Sequence, residues 1–140
     1  MNYQDLIDDH DQIDAFSEQL EMMVRHQDGT SSDVNALIGR LAAIVTDHLC
    51  KEDSFIYPQL AASSDPADSA SLIDEFEEIK RDWQMYLAAW QAGEPSNNWE
   101  KFRSSTLGML ARLRSRVMKE TGLLYGMALR EGLITMKPAA

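Results

Sequence analysis

Two histidines and two glutamates stand at spacings that could do chemistry. His48 and Glu52 lie four residues apart in His48-Leu49-Cys50-Lys51-Glu52, and Glu120 follows Arg116 at the same interval. On a helix that interval puts both side chains on one face. His10 stands apart from them near the start of the chain. Imidazole nitrogens and carboxylate oxygens together suit iron, manganese or zinc. Taken singly, each residue also has a plain reading: His10 as a satisfied structural histidine, and His48 with Glu52 as an intrahelical hydrogen bond.

The elements that carry these residues are read from hydrophobic periodicity. Apolar positions recur at alternating intervals of three and four through four segments, near 2–27, 32–62, 66–92 and 97–132. The first seam runs Tyr3, Leu6, His10, Ile13, Ser17, Leu20, Val24, and the second Val34, Ile38, Leu41, Val45, His48, Glu52, Phe55. The third runs Leu72, Phe76, Ile79, Trp83, Tyr86, Trp90, and the fourth Phe102, Thr106, Met109, Leu113, Arg116, Glu120, Leu123, Met127. Such seams belong to helices packed at a shallow angle. Breakers between them include Gly29, Ser32, Asp65, Pro66 and Gly93. Connections this short force antiparallel neighbours. Sustained apolar alternation with β-branched residues, the strand signal, is missing from the sequence. The expected fold is all-α, an antiparallel up-down-up-down four-helix bundle over 1–134, with 135–140 as a flexible tail.

His10, His48, Glu52, Arg116 and Glu120 thus occupy inward positions, where ionisable groups are costly unless paired or metal-bound. Register arithmetic levels them. His10 lies 19 residues before Gly29 and His48 19 after it, while Phe76 and Arg116 lie 20 residues either side of Ser96. Equal rise on both arms of a hairpin then places all four at one depth. The two hairpins also repeat one another. His10-Asp11-Gln12-Ile13 aligns with Phe76-Glu77-Glu78-Ile79, and His48 to Glu52 aligns with Arg116 to Glu120. The second alignment continues into Tyr57 and Tyr125, then Pro58 and Gly126. The chain reads as a duplicated helical hairpin whose second copy has lost both histidines.

These residues resemble the hemerythrin-like (HHE cation-binding) family. The first hairpin carries the full pattern: His10, then His48 with Glu52, then Tyr57-Pro58. The second keeps the frame and Glu120 with Leu124-Tyr125, but has Phe76 and Arg116 where the family places histidines. The resemblance implies a bundle with two irons, each held by one hairpin's histidines and bridged by the glutamates. Carried over residue by residue, it leaves one half-site, His10, His48, Glu52 and Glu120, for a single iron, manganese or zinc ion. Dinuclear iron is not expected. Arg116 is expected to stand electrostatically in the place of the second metal, beside Phe76. Tyr57 and Tyr125 are expected either to donate to the glutamates or to cap one end of the core. The alternative is a metal-free bundle in which Arg116 bridges Glu52 and Glu120.

Composition narrows the partners. The 140 residues hold 23 acidic against 13 basic side chains, a net charge of -10. That balance argues against nucleic acid or an anionic membrane, which need a basic face. Apolar runs are too short to span a bilayer. The acidic N-terminus has no signal-peptide character, and the single cysteine, Cys50, fits a reducing compartment, so a cytoplasmic protein is expected. The resemblance implies sensing, signalling or metal handling, with a metal ion and a regulatory protein as candidate partners. Neither a nucleophile–base pairing nor a phosphate-cradling loop suggests an enzyme. Phosphotransfer on His10 or His48 conflicts with their inward positions. His26, roughly 24 Å along the helix from His10, is read as exposed. Cys50 is read as a partly buried inert thiol, the eight methionines and three tryptophans as core or packing groups, and Asp74 to Glu78 as a solvated face. Pro58 should kink its helix just beyond the site.

Overall fold

The computed structural model describes residues 2–26, 31–61, 66–90 and 98–136. Helix α1 spans Tyr3–His26 and buries Leu6, His10, Ile13, Ser17, Leu20 and Val24, the expected seam. Asn2 accepts from the Asp5 amide at 2.9 Å and so serves as its cap. Helix α2 spans Ser31–Lys51, runs into a π-helical turn at Glu52–Ile56, and resumes as α3, Tyr57–Ala61. Helix α4 spans Pro66–Trp90, with proline at the first helical position as anticipated. Helix α5 spans Trp99–Lys119 and is capped by Asn98, whose side chain accepts from the Lys101 amide. A second π turn follows at Glu120–Leu124, then α6, Tyr125–Arg130.

Helix α1 packs on α2 and α5, and α4 packs on α5 and α3. The result is the antiparallel four-helix bundle, with one core running from Leu20, Val24 and Phe102 to Leu60, Leu124 and Tyr125. Among the described residues the extended pairing is one parallel bridge, Asn2 with Thr135. The Tyr3 amide donates to the Thr135 carbonyl at 2.6 Å, and Ile134 is buried. The segment read as a tail therefore begins at a tethered residue, and 137–140 lie outside the described residues. So do the expected turn residues Gly29, Asp65 and Gly93.

The π turns are the feature that periodicity missed. An extra residue in a helical turn moves the inward face on by one position. Phe55 and Leu123, expected in the seams, are instead 56% and 51% exposed, while Ile56 and Leu124 are fully buried. The same correction falls at the same place in both hairpins. Each turn closes on a backbone bond spanning five residues, Tyr57 to the Glu52 carbonyl and Tyr125 to the Glu120 carbonyl. Pro58, which has no amide hydrogen, lies two residues beyond the end of the first π turn, after Tyr57. The same turn forms at Glu120–Leu124, where Gly126 stands in the matching place, so proline is not what widens it, and the helix continues through Pro58 as α3.

Other packing expectations also shift. Met22, Met85, Met118 and Met136 are largely exposed and Met109 is buried, so most of the described methionines are not core groups. Cys50 is exposed rather than partly buried.

Candidate metal centre

The site sits where both seams turn polar. His10 projects from α1, His48 from the last turn of α2, Glu52 from the first π turn and Glu120 from the second. All four are buried, at 3% exposure or less. One ligand atom from each lies within 4.8 Å of the others. Phe76, Arg116, Tyr57 and Tyr125 surround them, so the structure brings together the four candidate ligands and the four residues expected beside them.

The two glutamates divide the site into halves. On the histidine side, His10 Nε2 lies 2.7 Å from Glu120 Oε2 and 3.2 Å from His48 Nε2. His48 Nε2 lies 2.6 Å from Glu52 Oε1 and 3.1 Å from Glu120 Oε2. The Tyr125 hydroxyl closes this side, 2.9 to 3.1 Å from both Nε2 atoms and from Glu52 Oε1 and Glu120 Oε2. His10, His48 and Tyr125 can each supply one proton here, fewer than the close contacts demand. Spacing shows what the donors suit. Atoms about 2.1 Å from one ion and at right angles to each other stand about 3.0 Å apart. The contacts of 2.6 to 3.2 Å match that separation, so the residues fit a bound metal.

The outward nitrogens are fixed as metal-ligating histidines require. His48 Nδ1 lies 2.9 Å from Asp9 Oδ2, which also accepts from Lys51. His10 Nδ1 lies 3.0 Å from Thr121 Oγ1. In the neutral ring with Nδ1–H donated to Asp9, the inward Nε2 of His48 would carry the lone pair that a metal needs. Asp9 and Thr121 were missed from the sequence. Each adjoins a ligand in the chain, His10 and Glu120, and that adjacency was the available signal. Asp9→Asn is expected to weaken metal affinity 10- to 100-fold while leaving the stoichiometry unchanged, as titration would show.

On the other side Arg116 occupies the second half. Its Nε donates to Glu120 Oε1 at 2.6 Å and one Nη to Glu52 Oε2 at 3.0 Å. That same Nη donates to the Tyr57 hydroxyl at 2.5 Å, and the other Nη donates to the Phe76 carbonyl at 2.9 Å. Tyr57 in turn donates to Glu52 Oε2 at 2.7 Å. The guanidinium carbon lies 5.0 Å from the Phe76 ring centroid, within cation–π range. Arg116 thus bridges the glutamates through their outer oxygens and leaves the inner pair to the histidines.

Electrostatics follow this division. Burial pushes the Glu52 carboxyl up, as does the charge of Glu120. Burial opposes ionisation of Glu120 too, but hydrogen bonds from His10 and His48 and the charge of Arg116 hold it well below its usual range. For His48, burial favours the neutral ring, yet hydrogen bonds to Asp9, Glu120 and Glu52 push the metal-free imidazole up to about 11. A raised folded pKa stabilises fully below the unfolded value near 6.5 and is lost as pH rises toward that higher value. Raised Glu52 acts in the same direction, whereas depressed Glu120 stabilises above the usual carboxylate value and is lost in acid. In chelator, the melting temperature is therefore expected to fall from pH 6.5 to pH 10; a rise over that interval would contradict this charge arrangement.

The chain matches the family model for the hemerythrin HHE cation binding domain over residues 1–128. It belongs to the hemerythrin HHE family. No curated protein and no solved structure gives a significant match. Within this hemerythrin domain the first hairpin carries His10, His48 and Glu52, and the second has Phe76 and Arg116 at the equivalent places before Glu120. A cavity of about 20 Å³, walled by Ile13, Val45, Leu113 and Val117, touches His48, Arg116 and Glu120. It has room for about one water-sized molecule. The groups read as lying outside the site do so: His26 is exposed at the end of α1, and Glu75, in the face from Asp74 to Glu78, pairs with Lys119. Among the described residues no helix is long and apolar enough to cross a membrane.

Proposed function

We propose that this hemerythrin-family chain is a metal-binding module with a reduced, mononuclear site that holds one iron ion, and that it serves sensing, signalling or metal handling rather than oxygen transport. The observation that carries this is the division of the two glutamates: inner oxygens turned to paired imidazoles, outer oxygens held by Arg116. Iron bound there would supply one-electron redox chemistry and a position for a small ligand. The protein's own part is to hold His10 and His48 through Thr121 and Asp9, and to keep the site dry. The adjoining cavity supports a small ligand as the signal. Binding, rather than turnover of a substrate, is the role this supports, in a cytoplasmic setting with a regulatory protein downstream.

A second reading is favoured by the completeness of the Arg116 network. In it the chain is a metal-free regulatory bundle, and the guanidinium bridge between Glu52 and Glu120 is a polar staple. Elemental analysis of protein purified without chelator and then loaded with ferrous iron separates the two. One ion per chain supports the metal module. No retained ion supports the staple, and two ions would overturn the role given to Arg116.

A further inference from the structure

The last described segment of the chain has a structure that metal binding alone does not use. Helix α6 stops at Arg130, and Gly132 then turns the chain back with a φ of 74°, a conformation that favours glycine. The amides of Gly132 and Leu133 donate to the carbonyls of Leu129 and Ala128, closing the turn. Residues 131–136 form a strap at the end of the bundle where the chain begins. Ile134 is buried in the core, and Thr135 pairs with Asn2. The Thr135 carbonyl accepts from the Tyr3 amide, one of the donors that the start of a helix cannot satisfy internally.

Three rings join this strap to the site. Tyr3 sets its edge against Tyr125, with centroids 6.3 Å apart and planes at 88°. Tyr125 stacks on His10 at 5.2 Å, and its hydroxyl closes the histidine side. The first turn of α1 is therefore held between the strap and the ring that covers the ligands. In the direction of the hairpin turns the site is shut by buried Ile13, Val45, Ile79 and Leu113. Helix ends and terminal segments open at the lowest cost, and here both lie at one place. Outside the same turns of α1 is a cavity of about 470 Å³ lined by Asp5, Asp8, Asp9, Lys51 and Phe55. Its three carboxylates draw cations toward that opening, and Asp9 reaches through to His48.

We propose that the strap 131–136 is a gate on the buried site. Closed, it holds Tyr3 against Tyr125 and bars solvent from the imidazoles and carboxylates. Released from Asn2 and Tyr3, it frees the start of α1 and lets a divalent cation pass between the acidic cavity and the site. The gate sets the rates of entry and exit and leaves affinity unchanged, because the same ligands hold the ion once the strap has closed.

The inference rests on the metal-binding reading, and the experiment separates their failures. Asn2→Cys and Thr135→Cys are combined with Cys50→Ser, so that a disulfide between the paired positions locks the strap and a reductant frees it. Uptake of ferrous iron, and its release to a chromophoric chelator, are timed without oxygen in both forms of this one protein. Both rates should fall by roughly tenfold or more in the locked form, which lacks the locally opened state, with stoichiometry and Kd unchanged. Ile134→Asp, which expels the strap from the core, should speed both. Equal rates in the locked and freed forms overturn the gate and leave the metal module standing. Slower release with unchanged uptake also overturns it, since the strap would then tighten the ligands rather than bar the way. If the native chain retains no iron, the metal reading falls, and acylation of His10 and His48 by diethylpyrocarbonate in metal-free protein decides the gate alone. Slower acylation in the locked form supports it, and equal acylation overturns it.

Discussion

Arg116→Met is expected to destabilise the metal-free protein by about 3–5 kcal/mol, the cost of leaving a buried charge uncompensated. Arg116 is 3% exposed, and its guanidinium serves both Glu52 and Glu120, which are 0% and 1% exposed. Without it the outer oxygens of two buried carboxylates lose their cation, and the Phe76 carbonyl and Tyr57 hydroxyl each lose a donor. For a chain of this size the loss corresponds to a fall in melting temperature of roughly 10 °C or more. Arg116→Lys should recover only part of it, because an ammonium cannot reproduce the planar fork that reaches both glutamates. Thermal unfolding in chelator measures both variants. A loss below about 1 kcal/mol for Arg116→Met would mean the glutamates are neutral without it, and the electrostatic replacement would fail.

His48→Ala is expected to produce the largest change in metal response. If a multi-ligand site is worth on the order of 10–16 kcal/mol, one ligand accounts for roughly 3 kcal/mol, or a loss of more than a hundredfold in affinity. Substitution will also disturb the metal-free fold, since the ring contacts Asp9, Glu52 and Glu120. The informative quantity is therefore the stabilisation that metal adds to each protein. At a metal concentration about 1,000 times the native Kd, the native chain should gain about 4 kcal/mol, and the variant about 1 kcal/mol. Equal gains would place the metal elsewhere. A native chain that gains nothing would favour the metal-free staple.

Much of this site was legible before any coordinates. The three-four alternation located the seams, and inward placement singled out His10, His48, Glu52, Arg116 and Glu120 because ionisable groups there demand compensation. Counting from the turns put them at one depth, where they are found together. What stayed hidden has physical causes. At both π turns the residues either side of the slip are apolar, Phe55 with Ile56 and Leu123 with Leu124, so the pattern reads equally well in either register. On a regular α-helix, five residues carry a side chain about 140° round the axis. Sequence alone therefore left Tyr57 and Tyr125 open between donating to the glutamates and capping the core, whereas the widened turns bring each hydroxyl back onto its own glutamate. Asp9 and Thr121 are ordinary polar residues beside ligands, and nothing in their type reveals that they meet the far nitrogens of histidines on or across the neighbouring helices.

The widened turns also make the two hairpins equivalent in backbone. Each arises from one additional residue, and each falls immediately after the glutamate of its own hairpin. The two arms therefore share one backbone frame, and what distinguishes the half-sites is the side chains alone: His10 and His48 on one side, Phe76 and Arg116 on the other.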